Sequence, residues 1–242
     1  MDICVIIPTY NNQKTLAQTI DTVLRYTTSV IVVNDGSTDA TEEILTQYQS
    51  QINIVSYSTN KGKGYALNRG FDKAESLGFS YAITMDSDGQ HLPEDLQLFI
   101  ETITKNPDAM IIGSRSFKHK NMPEGNTFAN KFSNFWFAVQ TGIRLPDTQT
   151  GFRLYPLAKM KGMRAFTDRY EAELELLVRS AWKNIRLIPI SIQVYYPEKS
   201  ERVTHFRPGI DFLRISLLNT LFVFVAILYG YPSRFIRILL KK

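Results

Sequence analysis

The tripeptide Asp86-Ser87-Asp88 stands at the end of an apolar run, Tyr81-Ala82-Ile83-Thr84-Met85. Two carboxylates two residues apart, at the lip of a buried strand, offer the hard oxygen ligands that Mg²⁺ or Mn²⁺ prefers. An ion held this way commonly meets a diphosphate. Alone, such a pair is more often a polar turn between strand and helix. Other segments shift that balance. Asp35 follows the run 29–33, where its carboxylate can accept from a base or a ribose hydroxyl, although Asn34-Asp35-Gly36 also suits a plain turn. Lys61-Gly62-Lys63-Gly64 sets two cations beside two glycines, which let the backbone approach a ligand closely. Tyr65-Ala66 follow it, so it is not a Walker loop. Arg115, after the run 109–113, offers a forked donor to phosphate or carboxylate.

These groups need a scaffold. Apolar runs at 3–7, 29–33, 52–57, 81–85 and 109–113 read as buried strands, the first closed by Pro8. Helical patterns lie between them: residues 14–25 with Asn11 and Asn12 as cap candidates, 41–48, the stretch after Gly64, and one begun by Pro93. Near-continuous apolar strands alternating with helices predict an α/β fold, a mostly parallel sheet covered on both faces. Ligands bind such sheets beyond the carboxyl ends of the strands, where Tyr10, Asp35, Asp86, Asp88 and Arg115 all fall. Further on, 116–125 reads as a loop, 130–140 as a Phe-rich helix and 145–153 as a loop returning to the site. Residues 169–182 read as a helix and 185–196 as an edge strand or hairpin arm.

Charge is distributed unevenly. The chain has 28 Lys and Arg against 23 Asp and Glu, a formal net of +5. Residues 199–242 hold 8 basic and 2 acidic groups, a net of +6, which leaves −1 for residues 1–198. The excess therefore belongs to the tail, which fits an anionic membrane surface better than a globally basic nucleic-acid-binding domain. Residues 215–233 carry no charge, and Arg234, Arg237, Lys241 and Lys242 follow. That run is marginal for a span of about 20 residues. An interfacial helix, a short insertion and a core or oligomer helix all fit it. The single cysteine, Cys4, excludes a disulfide framework and a cysteine-based zinc site, and nothing in the sequence suggests secretion.

Six segments together carry a resemblance: 5–11, 32–39, 60–64, 85–91, 113–115 and Asp147-Thr148-Gln149-Thr150-Gly151-Phe152-Arg153. In kind and order, over roughly residues 1–195, the chain resembles an inverting family 2 glycosyltransferase of the GT-A fold. It is most similar to the branch of dolichyl-phosphate mannose synthases and polyprenyl-phosphate glycosyltransferases. The resemblance implies that Asp35, Pro8 and Tyr10 hold the nucleoside and that Lys63 adjoins the nucleotide. It implies that Asp86, Asp88 and Gln90 bind the metal. Arg115 would meet phosphate, as would Lys131, which stands where these enzymes usually have arginine. Gln149 and Arg153 lie in the returning loop, and Arg202, with His205 and Arg207, in a basic segment where the acceptor phosphate arrives. The Glu-Asp pair that many family members use as a base is missing; Arg169-Tyr170-Glu171-Ala172-Glu173 stands instead. A phosphate acceptor is already anionic, so that departure is compatible with a lipid phosphate.

The expectation is thus a catalytic GT-A domain over 1–198 and a basic juxtamembrane segment with amphipathic or hydrophobic helices over 199–242. It would be a metal-dependent enzyme, using Mg²⁺ or Mn²⁺, that moves a sugar from a GDP- or UDP-linked donor to a polyprenyl phosphate on the cytoplasmic face of a membrane. No nucleic-acid partner is expected, and an oligomer is compatible. Transfer to a hydroxyl of another glycolipid, or an inactive nucleotide-sugar-binding subunit, are the alternatives.

Overall fold

A computed structural model describes residues 1–115, 124–195 and 207–239. The expected strands form as β1 (Ile3–Thr9), β2 (Val30–Asp35), β3 (Asn53–Tyr57), β4 (Tyr81–Thr84) and β5 (Met110–Arg115), followed by β6 (Arg153–Pro156) and β7 (Leu187–Ile192). Among the described residues they make one seven-stranded sheet in the order β3-β2-β1-β4-β6-β5-β7. All pairings are parallel except those of β6, which runs antiparallel to both β4 and β5. The polar ends of β1, β2, β4 and β5 consequently share one edge.

Alternation along β1 explains the continuous apolar runs. Cys4 and Ile6 enter one buried cluster, Val5 and Ile7 the other. The first layer is completed by α3 (Lys63–Ser76), α5 (Glu124–Thr141) and α7 (Glu171–Trp182), the second by α1 (Leu16–Leu24), α2 (Thr41–Gln47) and α4 (Leu96–Lys105). A short α6 (Leu157–Met160) follows β6. Apolar side chains on both faces leave no position for the polar alternation of a half-solvated strand.

Several boundaries differ from expectation for local reasons. Pro8 does not close β1 but lies inside it, paired with Val33. In a parallel ladder one residue turns both its amide and carbonyl to the same neighbour. The Ile6 carbonyl accepts from Met85 on the β4 side, while Val5 donates to Ser29 on the β2 side. The missing Pro8 N–H therefore falls on the β4 side, beyond the last pair, Ile6 with Thr84, and removes no ladder bond. Asn11 and Asn12 do not cap α1 through their side chains, because Asn12 is used elsewhere. Pro93 opens a 3₁₀ turn (Pro93–Asp95) ahead of α4. Residues 187–192 do form an edge strand, parallel to β5.

The tail is one helical rod: α8 (Pro208–Val225), a π turn (Ala226–Gly230) and α9 (Tyr231–Leu239). Its inner side joins the first core layer through Leu218, Phe222 and Ala226, and Phe222 and Tyr229 pack on Trp182. Its outer side is bare: Leu217, Leu221, Phe224, Ile227 and Leu228 are all more than half exposed. Gly209–Ile236 is long and apolar enough to associate with a membrane or enter it shallowly, which puts the protein at or near a membrane.

Candidate active site

One end of the cleft is built on Asp35, the last residue of β2. Burial pushes its carboxyl upward, and the amides of Lys61 (2.7 Å) and Gly62 (2.8 Å) offset part of that by donating to it. Asn60 Nδ2 adds a third bond at 3.0 Å. The loop 60–62 is thereby pinned over the end of β2. Gly62 is required there: its φ is +102°, and a Cβ would press on the Asp168 carbonyl oxygen. Pro8 and Tyr10 line the same cleft.

The second end is built on Asp86 and Asp88. The Ser87 carbonyl between them receives bonds from Asn12 Nδ2 (2.6 Å), Thr15 Oγ1 (2.8 Å) and Thr19 Oγ1 (3.2 Å), so α1 fixes the acidic turn from behind. Lys63 Nζ lies 2.6 Å from Asp86 Oδ1 and 3.1 Å from Glu173 Oε2. Burial alone would lower the Lys63 ammonium and raise Asp86. Their mutual attraction, with Glu173, outweighs it, so Lys63 is held well above its ordinary value and Asp86 below. Asp88 is pushed the other way, up to about 6, by burial and by the Asp86 charge. His91 is buried and lowered to about 4, a neutral ring whose Nδ1 accepts from the Asp86 amide at 3.3 Å. Gln90 is half-buried, and its backbone N–H donates to Asp88 Oδ1 at 3.0 Å. Among the described residues no three His, Cys, Asp or Glu side chains form a complete cage. The two carboxylates would instead suit a divalent ion whose remaining positions are filled by substrate phosphate and water.

The returning loop packs against the acidic turn, and neither it nor Arg115 lines the cleft. Arg115 Nε and Nη2 bind Asp147 at 2.6 and 3.0 Å, and Asn130 of α5 donates to the same carboxylate at 2.6 Å. Thr84 Oγ1 holds the Gly151 carbonyl at 2.7 Å. A Cβ on Gly151 would come within 2.6 Å of Asp86 Oδ2, so the glycine lets the loop close onto the acidic turn. Arg153 is placed differently from expectation. It is fully buried in β6, and its guanidinium donates to the carbonyls of Glu173 (2.6 Å) and Thr148 (2.9 Å), behind the cleft rather than in it. Gln149 and Lys131 are exposed, and neither they nor the half-buried Gln90 line the cleft. Arg202 and His205 lie outside the described residues.

Pro8, Tyr10, Asp35, Lys63, Asp86 and Asp88 thus share one cleft of about 640 Å³, within the usual range for small-molecule sites. Arg169, Tyr170 and Arg207 also line it. Reading by sequence alone gave Arg169 and Tyr170 no role. They precede α7, and nothing in their spacing shows that this helix starts over the cleft. Glu171 and Glu173, which stand where the usual Glu-Asp pair is missing, are both buried. Glu171 meets Arg214 of α8 at 2.7 Å, and Glu173 meets Lys63. Arg207 bonds Asp211 at 3.1 Å, so the first turn of α8 borders the cleft.

A mixed, mostly parallel sheet flanked by helices, with a cleft and an acidic turn at its carboxyl edge, is the arrangement of the GT-A fold. The chain belongs to glycosyl transferase family 2, whose model matches residues 4–161. It is 27% identical over 219 residues to UDP-N-acetylglucosamine–dolichyl-phosphate N-acetylglucosaminyltransferase of Methanococcus voltae, covering 82% of this chain and 87% of that one. It is 27% identical over 242 residues to glycosyltransferase AglJ of Haloferax volcanii, covering 96% and 77%. Among solved structures it resembles glucosyl-3-phosphoglycerate synthase from Mycobacterium tuberculosis, in complex with Mn²⁺, UDP and phosphoglyceric acid. That match has a TM-score of 0.66 at 16% identity, covers 93% and 78% of the two chains, and bears on the fold.

Proposed function

We propose that the protein transfers a sugar from a GDP- or UDP-linked donor to the phosphate of a polyprenyl lipid, with inversion, on the cytoplasmic face of a membrane. The observation that carries this reading is the cleft itself. It gathers Asp35, Lys63, Asp86 and Asp88 and is bordered by Arg207 at the start of an apolar helix with a bare outer side. The dolichyl-phosphate transferase of M. voltae supports the same acceptor class.

Asp35 and the Pro8–Tyr10 segment hold the nucleoside. An acceptor phosphate oxygen attacks the anomeric carbon as the bond from that carbon to the donor diphosphate breaks, releasing the nucleoside diphosphate. An anionic nucleophile needs little help from a base, and Glu171 and Glu173, the acids nearest the start of α7, are both committed to cations. A divalent ion, Mg²⁺ or Mn²⁺, bound by Asp86 and Asp88 with Gln90 as a further donor would neutralise charge on the leaving diphosphate. Arg115, fixed by Asp147, and Arg202 would guide the acceptor phosphate, while Lys131 and Gln149, which do not line the cleft, would meet it only on its approach. Arg153 acts from behind, by holding the backbone of Glu173 and Thr148. Residues 1–198 form the catalytic unit and 199–242 the membrane-associating one.

The test is a donor screen against membrane lipid extract with mass detection, followed by a defined pair of acceptors. Polyprenyl phosphate should accept sugar and the free polyprenol should not. Equal transfer to both would remove the phosphate acceptor.

A further inference from the structure

The start of α7 is held from two sides. On one side the amides of Gly64 and Tyr65, at the start of α3, donate to the Asp168 carbonyl at 2.7 and 3.2 Å. A Cβ on Gly62 would come within 2.8 Å of Arg169 Cγ, and one on Gly64 would press on the Thr167 carbonyl. Residues 167–169 therefore lie directly against the glycine turn that carries Lys63. On the other side α8 reaches across. Arg214 Nε and Nη2 both meet Glu171 Oε1, at 2.8 and 2.7 Å. Glu171 is buried, and its other oxygen meets no donor among the described residues. Arg214 is the cation paired with it there. A buried carboxylate stripped of its counter-charge is strongly disfavoured, so this contact fixes where α7 begins.

What α7 begins beside is cleft wall. Arg169 and Tyr170 immediately precede Glu171, and both line the cleft together with Arg207, the N-cap of α8. Arg169 acts on acids at both ends of this wall. Burial raises the Asp35 carboxyl, and the Arg169 charge is among the interactions that oppose the rise. Burial acts on Asp211 of α8 as well, but the bonds from Arg207, and then the Arg169 charge, hold that group below its ordinary range. One guanidinium thus stands within electrostatic reach of the acid that ends β2 and the acid in the first turn of α8. Its planar fork and permanent charge suit an anionic nucleotide.

We propose that α8 is part of the nucleotide site and that Arg214 is a positioning residue. Through Glu171 it holds Arg169 and Tyr170 against the bound nucleoside diphosphate. Arg214 does not itself line the cleft, so it acts only by way of the start of α7. The segment assigned above to membrane association therefore also shapes the donor cleft. This inference rests on that cleft being the nucleotide site.

The test is calorimetric titration of UDP and GDP into the full chain in mild detergent. No lipid or acceptor is present, so anchoring plays no part. Arg214→Met should weaken affinity for the nucleotide that binds by about tenfold, the weight of one contact to a charged group. Arg214→Lys should recover most of that loss. The double variant Arg214→Met with Glu171→Gln buries no unpaired charge and should bind as weakly as Arg214→Met, so the test stands even if the single variant does not fold. Phe222→Ala serves as the control, because it empties a buried contact with Trp182 about two turns further along α8. It should lower Tm and leave nucleotide affinity native. Native affinity in the Arg214→Met variants overturns the proposal. A loss of affinity in Phe222→Ala that tracks its loss of Tm also overturns it, since the tail would then act through overall stability alone. If the unaltered chain binds neither nucleotide, the function proposed for the cleft fails and this inference falls with it.

Discussion

Lys63 Nζ sits 2.6 Å from Asp86 Oδ1 and reaches Glu173 with the same ammonium, so one cation ties the first residue of α3 to the acidic turn and to α7. Replacing Lys63 with Met leaves two carboxylates facing each other with no counter-charge. Removing one member of a largely buried pair costs about 3–5 kcal/mol. Lys63→Met should therefore lower Tm by several degrees and cut turnover by about 100-fold or more. Thermal melts and initial rates check this, and a variant with native Tm and rate would remove Lys63 from both roles.

Metal removal should stop the reaction. Chelation is expected to abolish transfer and added Mg²⁺ or Mn²⁺ to restore it. Asp88→Asn should reduce kcat by about 100-fold, as expected when one contact to developing charge is lost. Full turnover in excess chelator would defeat the assignment of Asp86 and Asp88.

Asp35 pins the loop 60–62 and lines the end of the cleft to which the proposed function assigns the nucleoside. Asp35→Asn presents an amide where an acceptor oxygen met the Lys61 or Gly62 amide. A loss of about 1–3 kcal/mol in stability is expected for such an unsatisfied contact. Calorimetry should show weaker binding of UDP or GDP in parallel. Native affinity for both would take Asp35 out of the nucleotide site.

The Arg115–Asp147 pair predicts an acid response. Burial would raise the Asp147 carboxyl, but the Arg115 bonds overcome it and hold the group below the ordinary carboxylate range. A carboxylate depressed on folding contributes stability above its unfolded pKa, near 4, and that contribution is lost as pH falls through the lower folded value. Arg115→Met keeps the Asn130 and backbone bonds to Asp147 but removes the counter-charge that offsets its burial. Its stability deficit should be largest at pH 6–8, about 3 kcal/mol or more, and should shrink below pH 4. Urea titrations across that range check it. A deficit independent of pH would mean that the Asp147 charge is not what Arg115 neutralises.

The apolar runs were enough to place the first five strands and their parallel order of elements. Both faces of the sheet are covered, so those runs have no polar interruption to confuse them, and polar residues begin where the sheet ends. That is also why Asp35, Lys63, Asp86 and Asp88 could be picked out by sequence: each stands next to a strand end or a glycine turn, a local signal. The six motifs, taken in order, carried the family. The π turn and the side of the tail helix that packs on Trp182 left no local mark.

Other features depend on partners distant in the chain. β6 is four residues long and antiparallel, and it exists only because β4 and β5 leave a gap between them for it. Arg153 carries the same charge wherever it stands, but its place in that strand turns it from a substrate-facing cation into a buried donor to two carbonyls. Glu171 and Glu173 look like solvent residues until α8 brings Arg214 to one and α3 brings Lys63 to the other. The sequence by itself determined which residues end the strands and so which chemistry the edge can hold, because strand periodicity and turn residues are local. Which cations, acids and aromatic faces meet across that edge was decided only by tertiary packing, since burial and pairing are set by neighbours that the order of residues does not bring together.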